Sequence, residues 1–375
     1  MNGIFDAVGL LHAANKSIDH TIIDKKRPNI LSKLNKVIDK TTLIKPEIVL
    51  GVTENNFEQV ALNVFQFQYA NCEIYRAYCD AMRKKPETIK SLEKIPFLPI
   101  SFYKSHTVIS TIESIKTPSN EINYDLLFES SGTTGESTSR HYVLDARVYE
   151  QSLSQGFEQF YGNPSEYAIL ALLPSYLERA NASLVHMARV LMGKSQHPAN
   201  GFYINEWEAL YKTIDKLENE GQKVLLLGVT FALLDFAASY PTHLKHTVVM
   251  ETGGMKGRRK EMTRMEVHDE LKSAWHLDNI HSEYGMTELL SQAYAKADGL
   301  FHCTNTMKVL VRDINDPLEV NKTGNGCLNI IDLANLYSCP FIATEDLGNI
   351  YTDSSFEVLG RIDHSILRGC SMMAV

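Results

Sequence analysis

The chain has 375 residues, 44% apolar and 22% charged, and a net charge of −8. That length exceeds what a single core normally supports, and an acidic balance argues against a surface that tracks nucleic-acid phosphates. No apolar run is long enough to span a bilayer, Met1 to Asn15 lacks the pattern of a secretory leader, and six cysteines without a CxxC pair are too sparse for a disulfide framework, so a cytoplasmic location is expected.

Residues 1–55 are mixed and polar and read as a helical arm. From Asn56 to Tyr78 apolar residues recur mostly at spacings of three and four, which predicts a helix, with Cys72 and Cys79 on one face. The prolines of Ile95-Pro96-Phe97-Leu98-Pro99-Ile100 force extended backbone. Next comes Ser130-Ser131-Gly132-Thr133-Thr134-Gly135, six residues of hydroxyl or bare backbone. Such a loop brings N–H and O–H groups close to phosphate oxygens. It has no lysine where a Walker loop needs one, which points to ATP handled by attack at its α-phosphate.

Strands and helices then alternate. Tyr167–Leu173, Lys223–Val229, Thr247–Glu251 and Asn279–Tyr284 read as strands, and Ala182–Met192 as a helix. Thr230 is placed to cap a helix running to Ala238. Thr263 with Glu266 three residues on makes a capping box for a helix reaching Trp275. This rhythm predicts a mostly parallel sheet with helices on both faces. Beyond residue 305, short strands at Met307–Arg312, Cys327–Asp332, Asn349–Thr352 and Phe356–Leu359 predict a mixed or antiparallel subdomain. The expected organisation is an arm at 1–55, an α/β core at 56–304 and a smaller mixed β subdomain at 305–375.

In open α/β sheets, ligands sit beyond the carboxyl ends of the strands. The residues there are Ser131–Gly135, Gly253-Gly254, Tyr284-Gly285-Met286-Thr287-Glu288, Thr344-Glu345-Asp346 and Gly360-Arg361-Ile362-Asp363. Plainer readings stand beside this one. The Ser/Gly run also fits a solvated loop, Glu288 a carboxylate at a helix start, Asp346 and Arg361 a structural ion pair, and His281 a hydrogen-bonded core histidine.

In this order the motifs resemble the adenylate-forming superfamily of acyl-CoA synthetases, luciferases and adenylation domains. The resemblance implies that Ser130 to Gly135 hold phosphates and that Gly253, Gly254 and Gly285 line the cofactor site. It gives Tyr284 to adenine, Thr287 to phosphate, Glu288 to Mg²⁺, and Asp346, helped by Arg361, to the ribose hydroxyls. Thr344-Glu345-Asp346 departs from the family's Thr-Gly-Asp.

Four segments narrow the match: Phe97–Ile100, Leu173–Arg179, Glu251–Arg258 and His281–Glu288. Together they look like the acyl-protein synthetase (LuxE-type) branch, from about residue 56 onward. That implies ATP- and Mg²⁺-dependent activation of a fatty or other carboxylic acid. Acyl transfer to a cysteine of the same chain and then to an acyl reductase or carrier protein would follow. Superfamily members normally continue into a lid bearing a lysine; here twelve residues follow Asp363, and the lid is expected to be absent. Arg368-Gly369-Cys370 offers a thiol beside a cation, which makes Cys370 the expected acyl acceptor. The alternatives are a CoA ligase similar to phenylacetate–CoA ligase, and a non-catalytic subunit that binds nucleotide or acyl carrier protein.

Overall fold

Apolar runs without alternation belong to strands covered on both faces, as Ala168–Leu172 and Val224–Gly228 are, buried at every residue. In the computed structural model, which describes residues 44–110, 122–130, 138–174, 181–253 and 262–362, these form the centre of a parallel sheet. The strands are β1 (Leu98–Pro99), β2 (Leu126–Glu129), β3 (Arg140–Val143), β4 (Ala168–Leu172), β5 (Gly201–Phe202), β6 (Val224–Gly228), β7 (Thr247–Glu251) and β8 (His281–Tyr284). They continue with β9 (Ala293–Ala295), β10 (Phe301–Cys303), β11 (Met307–Arg312), β12 (Val320–Asn321), β13 (Gly324–Asp332), β14 (Phe341–Ile350) and β15 (Phe356–Arg361). The helices are α1 (Pro46–Leu50), α2 (Phe57–Asn71), α3 (Glu73–Ala81), α4 (Phe102–Ser105), α5 (Ala146–Tyr161), α6 (Ser183–Ser195), α7 (Trp207–Asn219), α8 (Thr230–Ser239) and α9 (Arg264–Trp275).

One sheet runs β12-β11-β13-β14-β15-β10-β9-β8-β7-β6-β4-β5, with β1 beside β14, and β2–β3 form a separate hairpin. β5, β4, β6, β7 and β8 pair in parallel; along the order from β8 to β12 successive strands pair antiparallel, and β1 joins β14 in parallel. The fold is mixed α/β with a parallel core, as the alternating pattern predicts. The antiparallel strands beyond residue 305 continue that sheet edge to edge. Their long register, β13 against β14 from Gly324↔Ile350 to Ile331↔Phe341, carries Asp346 toward the ends of the parallel strands.

Several elements form as the residues dictate. The Thr263–Glu266 capping box is present in both directions, with Thr263 N–H and hydroxyl donating to Glu266 and Glu266 N–H donating back. Three differ. The helix expected over 56–78 is two helices broken at Cys72, whose backbone is extended (φ −101°, ψ 106°). The break lets Tyr75 bury and donate its hydroxyl to the Pro96 carbonyl at 2.7 Å. Thr230 does not cap α8: Val229 is the N-cap, and the Thr230 hydroxyl donates to Glu251 at 2.9 Å. A buried carboxylate competes for that donor more strongly than a helix end does. The strand expected at Asn349–Thr352 is the tail of the ten-residue β14, whose buried polar Thr344 and Asp346 mask it in the sequence.

Candidate functional site

β7 and β8 pair in parallel with Glu251 beside Ser282, so Gly253 and Tyr284 leave the sheet at the same level. Gly253 turns with φ +72°, a conformation that favours glycine, and donates its N–H to Glu251 at 2.7 Å. Glu251 is 4% exposed and also accepts from Thr230 and Ser282, each at 2.9 Å. Burial alone would raise its pKa. The His268 ring at 3.8 Å, the Arg264 guanidinium at 3.5 Å and the Gly253 N–H outweigh that and hold it at about 2.

A carboxyl depressed from 4.5 stabilises the fold fully above pH 4.5 and loses that contribution as pH falls through about 2. Over that range the stability lost with Glu251 is about 3 kcal/mol. Urea unfolding at stepped acid pH is expected to show that slope in the wild type and a shallower one in Glu251→Gln.

Tyr284 packs its ring against Phe301 and Phe356 at 5.8 and 5.6 Å. Its hydroxyl donates to Asp346 Oδ2 at 2.8 Å. Arg361, directly across the β14–β15 pair from Asp346, donates from Nε to Oδ1 at 3.1 Å. Each oxygen of Asp346 thus has one side-chain partner among the described residues, and a carboxylate offers about four lone-pair directions. Two remain for a diol. The Arg361 side chain is 75% exposed and Asp346 9%, so the guanidinium stands at the mouth and the carboxylate at the floor.

The hydroxyl-rich loop is pinched at its base. Ser130 donates its N–H to the Ser139 carbonyl at 3.1 Å, and Ser139 N–H donates to Ser130 Oγ at 2.9 Å. Two residues beyond, His141 Nδ1–H donates to the Thr287 carbonyl at 2.8 Å. The Ser139 side chain lowers the pKa of the Glu288 carboxyl. The stems of the loop therefore stand on the Thr287-Glu288 segment. Burial raises the Glu288 carboxyl above its usual range, against the pull of Ser139, Arg361 and Lys104. A buried anionic oxygen beside hydroxyls is the donor type a hard divalent cation takes, so Glu288 fits the role of holding Mg²⁺.

Ser130, Gly253, Tyr284, Gly285, Thr287, Glu288, Asp346 and Arg361 thus gather at one edge of the sheet. Ser131, Gly132, Thr133, Thr134, Gly135, Gly254 and Cys370 lie outside the described residues. Sequence reasoning missed the supports. Asp332, fully buried, accepts from the N–H groups of Leu290, Ser291 and Ala334, the Ser291 hydroxyl and the Asn335 amide. Asn335 also donates to the Glu288 carbonyl at 2.8 Å. Ser139 was legible in principle as the partner of Ser130 across a hairpin. Asp332 and Asn335 carry no local signal, because the partners that matter to the site lie more than forty residues away.

Fold and site define an α/β protein whose strand ends bring together the stem of a hydroxyl-rich segment, two carboxylates and a guanidinium. The chain belongs to the acyl-protein synthetase LuxE family, which it matches over residues 45–374. A curated relative, the long-chain-fatty-acid–luciferin-component ligase of Photorhabdus luminescens, is 32% identical over 78 residues, 21% of this chain and 60% of the relative. The ATP-bound MatB of Rhodopseudomonas palustris is similar at a TM-score of 0.48 and 16% identity, over 64% of this chain and 49% of that one. The luciferase-like enzyme of the nonluminescent mealworm Zophobas morio is similar at 0.44 and 17%, over 68% and 62%. The chain spans about 60% of the curated relative it matches and about half of MatB. No described helix is long and apolar enough to cross a membrane.

Proposed function

We propose that the protein joins a fatty or other carboxylic acid to ATP, giving acyl-AMP and pyrophosphate, and then passes the acyl group to Cys370 and on to a reductase or carrier protein. The carboxylate oxygen bonds to the α-phosphorus as the bond to pyrophosphate breaks. The Cys370 thiolate then bonds to the acyl carbon as the bond to AMP breaks. A carboxylate is a poor electrophile; the mixed anhydride gives it a good leaving group.

The observation that carries this reading is the hydrogen bond from His141 to the Thr287 carbonyl, which roots the stem of the hydroxyl-rich segment on Thr287-Glu288. In this reading Tyr284 and Gly253 border the adenine, Asp346 and Arg361 take the ribose hydroxyls, and Thr287 with residues 130–135 takes phosphate. Magnesium, when bound, supplies charge neutralisation at the phosphates, and Glu288 is the residue that would hold it. Lys104, which acts on the charge of Glu288, adds a cation on the same side.

The five described cysteines support Cys370 as the acceptor. Burial holds all of their thiols protonated, raising Cys72 to about 11 and Cys303 to about 12 and lifting Cys79, Cys327 and Cys339 as well. Labelled acid with Mg-ATP is expected to leave a hydroxylamine-labile label that Cys370→Ser loses. A label retained in that variant overturns the acceptor assignment. Exchange of pyrophosphate into ATP that no carboxylic acid stimulates overturns the activation step.

A further inference from the structure

Adjacent residues of a strand face opposite sides of the sheet. Tyr284 turns to Phe301, Phe356 and Asp346, so Glu283 turns the other way. There Tyr294 lies directly across the antiparallel β8–β9 pair. A methyl group placed on Gly285 would meet the Glu283 carboxyl and lie 3.8 Å from the Gln292 side chain. The Glu283 carboxyl and the stem of Gln292 thus border one bare backbone position, with Tyr294 across the strand pair from Glu283. Tyr294 is 1% exposed and Gln292 4%. Among the described residues, the Tyr294 hydroxyl and the Gln292 amide oxygen have no hydrogen-bond partner. Native interiors rarely leave such groups orphaned without a role.

We propose that Glu283, Gln292 and Tyr294 form a polar subsite for the acid substrate, and that this substrate carries a hydroxyl or amide group within a few carbons of its carboxyl. The proposal rests on the activation reading above. With nucleotide on the Tyr284 side and its phosphates at Thr287, an acyl group reaching the α-phosphate has Gly285, exposed and without a side chain, as its opening to the opposite side. The first polar groups it meets there are these three. Burial and the nearby Glu251 charge push Glu283 up to about 8. It is therefore mostly protonated at neutral pH and able to donate as well as accept. Tyr149 and Tyr161 of α5, whose hydroxyls feel the Glu283 charge, border the same space. A plain alkyl chain would bury against all of these groups without pairing any of them, and an unpaired polar site rejects such a ligand.

The test is acid-dependent ATP–pyrophosphate exchange by the full chain with length-matched pairs, decanoate against 3-hydroxydecanoate and butanoate against 3-hydroxybutanoate. At least one hydroxylated acid is expected to exceed its alkyl partner in kcat/KM by about tenfold or more. That ratio is expected to fall toward one in Glu283→Leu and in Tyr294→Phe, which removes a single oxygen atom and keeps the ring. A ratio near one in the wild type, or a ratio that neither variant moves, overturns the subsite while leaving activation standing. Exchange with neither kind of acid removes the activation reading, and the subsite with it.

Discussion

Glu288→Gln is expected to lower acid-dependent ATP–pyrophosphate exchange by about 10²–10³-fold, the usual loss for one electrostatic group in a transition state. The substitution keeps the shape of the side chain and one of its acceptor oxygens. It removes the anionic donor that a divalent cation needs. The protein itself should not suffer. Burial already disfavours the charge at this position, and a neutral amide relieves that cost. The expected signature is a large fall in exchange, only partly recovered at high Mg²⁺, with an unfolding midpoint equal to or above that of the wild type. Exchange within about threefold of the wild type would take Glu288 out of the reaction.

Asp332→Ala is expected to cost about 3–5 kcal/mol of stability, the largest effect of any single substitution considered. Five donors converge on this fully buried carboxylate, at 2.6 to 3.2 Å. Three are backbone N–H groups of the turns at 290–291 and 334. Alanine leaves those three N–H groups without their partner in a place water does not reach. Asp332→Asn would recover little, because the new NH₂ group would face other donors. Urea unfolding measures the loss directly, and a change below about 1 kcal/mol would show that these groups find other partners. The segment bearing Thr287 and Glu288 rests on this cluster through Asn335, so activity is expected to fall with stability.

The parts of the fold legible in the sequence are those set by neighbours in the chain. The capping box at Thr263 is two local residues recognising each other, and the apolar runs of β4 and β6 need only two covered faces. The failures are all long-range. Thr230 was drawn from capping by Glu251, twenty-one residues on. Cys72 broke a helix that its own periodicity would continue, because Tyr75 had a partner at Pro96. β14 hid behind Thr344 and Asp346, whose polarity is satisfied by Leu328, Tyr284 and Arg361. The site divides in the same way. Tyr284, Thr287, Glu288, Asp346 and Arg361 stand in short motifs at strand ends, where a reader looks for them. Ser139, Asp332, Asn335 and Glu283 matter through what crosses the sheet to meet them.

The most direct measurement is a structure with a non-hydrolysable acyl-adenylate mimic, such as an acyl-sulfamoyl adenosine. The adenosine is expected beside Tyr284 and Gly253, with both ribose hydroxyls on Asp346 and the sulfamate between Thr287 and the Ser130–Ser139 stem. The mimic found instead in the roughly 610 Å³ groove lined by Leu234, Ala237, Met262 and Ser273, or Asp346 left untouched by its ribose, would contradict the account.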